Sequence, residues 1–166
     1  GRFRGKVWQD GHENSFDRMI NSFKHLDQKA QEKKVTILIE PLRKDICDNL
    51  NSVLDTYNFL KKFGLQSFHL MIDTDHTLIE EKEYVNKYSS SIKYIHLADT
   101  KHVPLGEGMI QFSEYFNLFK SIGYHGYMSI EVFSENRDKE IIKKSMAYLE
   151  KFFYKDGIRW VYTDDK

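Results

Sequence analysis

Four side chains able to hold a divalent cation each stand at the end of a short apolar, strand-like run. Glu40 follows residues 35–39, Asp73 follows 68–72, His96 falls near the end of 93–97, and Glu131 follows 127–130. Three carboxylates and one imidazole make a hard, oxygen-rich donor set, which suits Mn²⁺, Mg²⁺ or Co²⁺ better than a thiolate-type zinc site. A cation held there would polarise the carbonyl of a bound molecule, and a neighbouring carboxylate could then remove a proton from the adjacent carbon. A lone glutamate at a strand end is more often a cap or a salt-bridge partner. Four at the ends of successive strands form a constellation, because parallel α/β sheets bind ligands beyond the carboxyl ends of their strands.

The elements that must position these four alternate along the chain. Ser15 is read as the N-cap of a helix over 16–33, with Phe16, Met19, Ile20, Phe23, Leu26 and Ala30 on one face. The β-branched run at 35–39 stops at Glu40 and Pro41. A helix over 49–63 closes at Gly64, and a charged helix over about 80–88 precedes the strand at 93–97. Ser113 is read as the cap of a helix closed by Gly123, and a last helix spans 136–154 with Ile142, Ser145 and Leu149 on its apolar side. A further short strand is expected at 3–7. Strands alternating with helices in units of about thirty residues imply a parallel sheet, either open or closed into a barrel. Residues 1–155 read as part of one domain and 156–166 as a tail.

Composition narrows the function classes. The 166 residues are 40% hydrophobic and 14% aromatic, which is globular. Lys+Arg 25 balances Asp+Glu 25, so no net field draws the chain to nucleic acid or an anionic membrane. No apolar run reaches the length of a membrane span, and the single cysteine, Cys47, fits a reducing compartment and a packing role. A soluble cytoplasmic protein is expected.

At the site residues the chain resembles the xylose isomerase-like TIM barrels, nearest the ketose 3-epimerase and sugar-phosphate isomerase branch. The resemblance rests on Ile39-Glu40-Pro41-Leu42 with Cys47 and Asn51, and on Asp73-Thr74-Asp75-His76 with Glu80 and Glu81. It continues in His96-Leu97-Ala98-Asp99 with Pro104, Gly106 and Gly108, and in Gly126-Tyr127 through Glu131. It implies a (β/α)8 barrel of which this chain supplies the C-terminal part, about strands four to eight. It also implies one divalent cation, Mn²⁺ first and Mg²⁺, Co²⁺ or Zn²⁺ as alternatives, on Glu40, Asp73, His96 and Glu131. His76 would meet substrate hydroxyls, and Asp99 would orient a ligand from behind. His102 stands where these epimerases often carry arginine; it is either a donor to substrate in that arginine's place or an exposed loop histidine.

The implied reaction is epimerisation or isomerisation of a sugar or sugar phosphate through a metal-stabilised enediolate, with Glu40 and Glu131 as the proton-transfer pair. A half-barrel would leave sheet edges open, so a homo-oligomer or association with an N-terminal half is expected. Two rivals stand beside this reading. One is a zinc-dependent abasic-site phosphodiesterase on the same fold, and the other is a non-catalytic remnant, inactive as a fragment.

Overall fold

The computed structural model describes residues 13–133, 139–156 and 159–162, so the strand expected at 3–7 lies outside them. Helix α1 runs Glu13–Lys33. It begins ahead of Ser15, which is therefore inside the first turns and accepts a hydrogen bond from Arg18 at 2.9 Å instead of capping. Leu26, expected on the apolar face, is 47% exposed, while Asp27 beside it is buried. The reason is a polar fastening: the Asp27 carboxylate accepts the Ser67 N–H at 2.6 Å, tying α1 to the segment that enters the second strand. Lys34 takes a left-handed φ of 55°, and Val35 N–H reaches back to Ala30 O. Val35 thus closes α1, and strand β1 is only Ile37–Ile39.

Helix α2 spans Val53–Phe63, starting later than residue 49 because Ser52 is its cap, accepting the Asp55 N–H. A second free helix amide, Val53 N–H, is taken by the Glu81 carboxylate at 2.8 Å, a long-range cap that no local pattern could show. Gly64 closes α2 in the left-handed region, as expected. Strand β2 (Phe68–Asp73), helix α3 (Lys82–Lys87) and strand β3 (Ile92–Leu97) follow. Helix α4 is Phe112–Ser121, so Ser113 lies within it and Gln111 precedes it. Strand β4 is Tyr127–Ile130. Helix α5, Lys139–Leu149, ends before residue 154 because Phe153 opens a hairpin of β5 (Phe153–Asp156) with β6 (Arg159–Tyr162). That hairpin straddles the residue at which the tail was expected to begin.

Strands β1 to β4 form one parallel sheet in the order β1-β2-β3-β4. The inner strands carry the driest residues: Leu70, Ile72 and Ile95 are fully buried, with Val53, Phe112 and Phe119 packed over them from the helices. Side chains of this size contribute about 1.5–3 kcal/mol each when fully buried. The sheet therefore has a rigid centre, and Glu40, Asp73, His96 and Glu131 stand at its carboxyl end. Among the described residues, no helix is long and apolar enough to cross a membrane.

Candidate metal centre

Each of Glu40, Asp73, His96 and Glu131 offers one ligand atom, and the four atoms all lie within 4.8 Å of one another. Glu40 directly follows β1, Asp73 ends β2, His96 is the penultimate residue of β3, and Glu131 directly follows β4. His96 Nδ1 is 2.5 Å from Glu131 Oε2, 3.7 Å from Glu40 Oε1 and 3.8 Å from Asp73 Oδ2. One irregularity brings two of them level. The pairing of β2 with β3 slips between Leu70 and Met71, so Asp73 stands opposite His96. Without that slip Ile95 would face Asp73, and a one-residue shift turns a strand's side chains to the other face.

Asp73 is fully buried and used from one side only. Its Oδ1 accepts the Asp75 N–H at 2.7 Å and the His76 N–H at 3.2 Å, which folds the Asp73-to-His76 turn. Its Oδ2 is buried with no hydrogen-bond partner. Burial, with the Glu40 and Glu131 carboxylates beside it, pushes the Asp73 carboxyl up to about 8. The three carboxylates act on His96 in the opposite sense: the Glu40 contact leads in raising it above the usual imidazole range. Burial works to raise Glu40, but the His96 and His76 imidazoles outweigh it and hold the group below its ordinary value. A buried oxygen lacking a partner among mutually repelling carboxylates is the signature of missing positive charge, and a divalent cation fits it.

A pH prediction follows for the cation-free chain. Asp73 binds its proton more tightly folded than unfolded, and so does His96. Stability from both is therefore present at lower pH and lost as pH rises through their folded values. Between pH 7 and 9 the cation-free melting temperature should fall, and added Mn²⁺ should restore most at the upper end, since ligands must be deprotonated to bind. Calorimetric melts with and without Mn²⁺ check this; a flat cation-free profile would contradict the carboxylate crowding.

His76 is buried and adjoins the cluster. His102 is neither exposed nor remote: it is buried, its ring stacks on Phe133 at 4.1 Å, and its Nε2 lies 3.9 Å from Asp73 Oδ2. Asp75 is also buried, and Arg43 donates to its Oδ2 at 2.8 Å. Sequence reasoning overlooked Arg43, whose partner lies 32 residues away, and Thr74. The Thr74 hydroxyl donates to Ala98 O at 2.7 Å and accepts the Ala98 N–H at 2.9 Å, locking the end of β2 to that of β3.

The carboxylate of Asp99, the residue expected to orient a ligand from behind, is bonded to backbone. Fully buried, it accepts four backbone N–H groups, from Thr100, Gly106, Gly108 and Ile110, between 2.8 and 3.1 Å. It is the hub of the loop that carries His102. A Cβ at Gly108 would collide with its Oδ1, which explains a glycine there. Asp99→Ala should cost about 3 kcal/mol or more, because unsatisfied buried amides cost about 1–3 kcal/mol each and water can reach some of these. Urea unfolding would check it; a loss under about 1 kcal/mol would mean the loop is held otherwise.

A model of the xylose isomerase-like TIM barrel family matches residues 2–152. The chain belongs to that family. Among curated relatives, this TIM-barrel chain is 25% identical over 137 residues to the L-ribulose 3-epimerase of Methylomonas sp. (strain DH-1), covering 81% of this chain and 46% of the relative. It is 27% identical over 121 residues to the L-ribulose 3-epimerase of Mesorhizobium japonicum, covering 71% and 41%. Among solved structures, a D-allulose 3-epimerase from Methylomonas sp. superposes with a TM-score of 0.76 at 19% identity, over 89% of this chain and 59% of that one, a likeness of fold. The chain spans about half the length of the curated relatives it matches. The four-stranded parallel sheet with its covering helices is thus a stretch of a xylose isomerase-like barrel.

Proposed function

We propose that the chain carries the cation-binding and proton-transfer groups of a sugar or sugar-phosphate isomerase or epimerase. The observation that carries this reading is the convergence of Glu40, Asp73, His96 and Glu131 around a buried, unpartnered Asp73 oxygen. The similarity to L-ribulose 3-epimerases supports the substrate class. Those four residues would hold one divalent cation, for which the oxygen-rich set favours Mn²⁺. When bound, that cation supplies Lewis-acid polarisation of a ketose carbonyl and its neighbouring hydroxyl.

The chain's own groups do the rest. Glu131 and Glu40 approach His96 from the two outer strands, β4 and β1, so they can address a sugar carbon from different sides. One takes the proton from the carbon beside the carbonyl, and the other returns a proton to the opposite face. His76 and His102, both buried, with His102 Nε2 3.9 Å from Asp73 Oδ2, would serve as donors to substrate hydroxyls. Strands β1 and β4 each have one side unpaired among the described residues, where further strands or a second copy would complete the enclosure.

The test is exchange of a ketose C–H for deuterium. Mn²⁺-loaded chain is incubated with L-ribulose or D-allulose in D₂O and followed by proton NMR. Loss of the signal next to the carbonyl, above a Mn²⁺-only blank, is expected. A chain that binds Mn²⁺ stoichiometrically but exchanges none of a panel of ketoses would overturn the enzymatic reading.

A further inference from the structure

We infer that Asp75, held by Arg43, is a positioning residue that sets the rings of His76 and His102 toward the ketose. The inference rests on the proposed function for its substrate and on the geometry of these side chains for the rest. Asp75 is buried, yet its Oδ2 accepts a charge-assisted hydrogen bond from Arg43 Nη1 at 2.8 Å, which offsets the cost of holding a carboxylate away from water. The same oxygen stands 3.6 Å from His76 Nδ1 and 3.7 Å from His102 Nδ1. One carboxylate oxygen therefore faces the same edge atom of both rings, whose centroids are 5.5 Å apart. His76 Nδ1 is buried without a hydrogen-bond partner, and Asp75 is the acceptor that faces it. Contacts at active sites are often this long before substrate binds and tighten in the complex.

Asp75 is itself fixed from several directions. Its N–H bonds Asp73 Oδ1 at 2.7 Å, and its Oδ1 accepts the Lys101 N–H at 3.4 Å from the segment after β3. Arg43, in the segment after β1, gives Nε and Nη2 to Asp45 at 3.2 and 3.3 Å and keeps Nη1 for Asp75. Asp45 is exposed, so the guanidinium is anchored at the surface and reaches inward. The segments that follow β1, β2 and β3 thus meet at one carboxylate. For His102 the consequence is specific. Phe133 stacks on its ring at 4.1 Å and 4°, which sets the plane of the ring but not which edge faces the cluster. A half-turn about the Cβ–Cγ bond would preserve that stack and put a carbon where Nε2 now lies 3.9 Å from Asp73 Oδ2. The Asp75 charge selects one of the two orientations, because a nitrogen edge meets a carboxylate better than a carbon edge does. The far nitrogen is thereby kept toward the cluster, where a sugar hydroxyl would lie.

The experiment reads ring position and ketose affinity separately. In the cation-free chain, NMR contacts from the ring protons of His76 and His102 report which edge of each imidazole faces inward, with His76→Gln and His102→Asn used to assign the signals. One edge alone should face inward in the chain as it stands. Both edges should do so in Asp75→Ala and in Arg43→Gln, while Asp75→Asn, which keeps an acceptor oxygen, should recover part of the original orientation. Exchange of L-ribulose in D₂O is then followed against ketose concentration with Mn²⁺ bound. The half-saturating concentration should rise about 10-fold in Asp75→Ala, the worth of a hydrogen bond to a charged group, with a smaller fall in the saturated rate. Unmoved imidazoles in folded Asp75→Ala and Arg43→Gln chains would overturn the positioning role. Moved imidazoles with an unchanged half-saturating concentration would overturn its bearing on substrate. A chain that binds Mn²⁺ and exchanges no ketose would sink the proposed function instead, and the ring orientations would then decide the positioning by themselves.

Discussion

Asp73→Ala should weaken Mn²⁺ binding on the order of 100-fold or more, because even residues that only orient a ligand are worth about 10- to 100-fold. Asp73 is the one member of the centre that is wholly buried, and its Oδ2 has no other partner. The same substitution removes mutual repulsion with Glu40 and Glu131, so the cation-free chain should not be greatly destabilised through electrostatics. Against that, the Asp75 and His76 amides lose their acceptor, Oδ1. Calorimetric titration beside a melt separates the two effects. Unchanged Mn²⁺ affinity in a folded Asp73→Ala chain would remove the four-residue centre from consideration.

For the epimer whose proton faces Glu131, Glu131→Gln should lower ketose C–H exchange by about 10²- to 10⁴-fold, the usual contribution of a positioned general base. Glutamine keeps the size and one carbonyl oxygen, so Mn²⁺ should still bind, less tightly. Glu40→Gln offers a contrast. Starting from the epimer whose proton faces Glu131, exchange should persist while the opposite epimer fails to form. NMR reads both from one sample. Full exchange in Glu131→Gln would assign the proton to another group.

Much of this was legible in the chain itself. The four apolar runs ending in Glu40, Asp73, His96 and Glu131 became four adjacent parallel strands, and Gly64 and Gly123 took the left-handed turns expected of them. What could not be read were long-range polar partners. Asp27 is buried because Ser67 needs an acceptor, and α2 gains its second cap from Glu81, 28 residues on. Asp75 is drawn inward by Arg43. Hydrophobic periodicity places apolar faces, but it does not foretell which charged residue will find a buried partner. The slip at Leu70 and Met71 is equally silent in sequence, although it decides whether His96 or Ile95 confronts Asp73. His102 lay in a loop whose shape depends on four amides meeting one aspartate, a geometry that spacing alone does not reveal.

The strand order has a consequence for how the centre would behave with different ions. Asp73 and His96 belong to β2 and β3, which are paired on both sides, whereas Glu40 and Glu131 follow β1 and β4, each paired on one side among the described residues. Unless further strands pair with β1 and β4, the cradle has a stiff half and a compliant half. An ion of another radius would be accommodated chiefly by the compliant pair, and those are the two groups assigned to move the proton. Exchanging Mn²⁺ for the smaller Mg²⁺ should then disturb rate more than retention, since the fixed pair keeps its hold while the acting pair is re-aimed. Choice of metal would in this way become a control on chemistry, written into the difference between middle and margin of the four strands described.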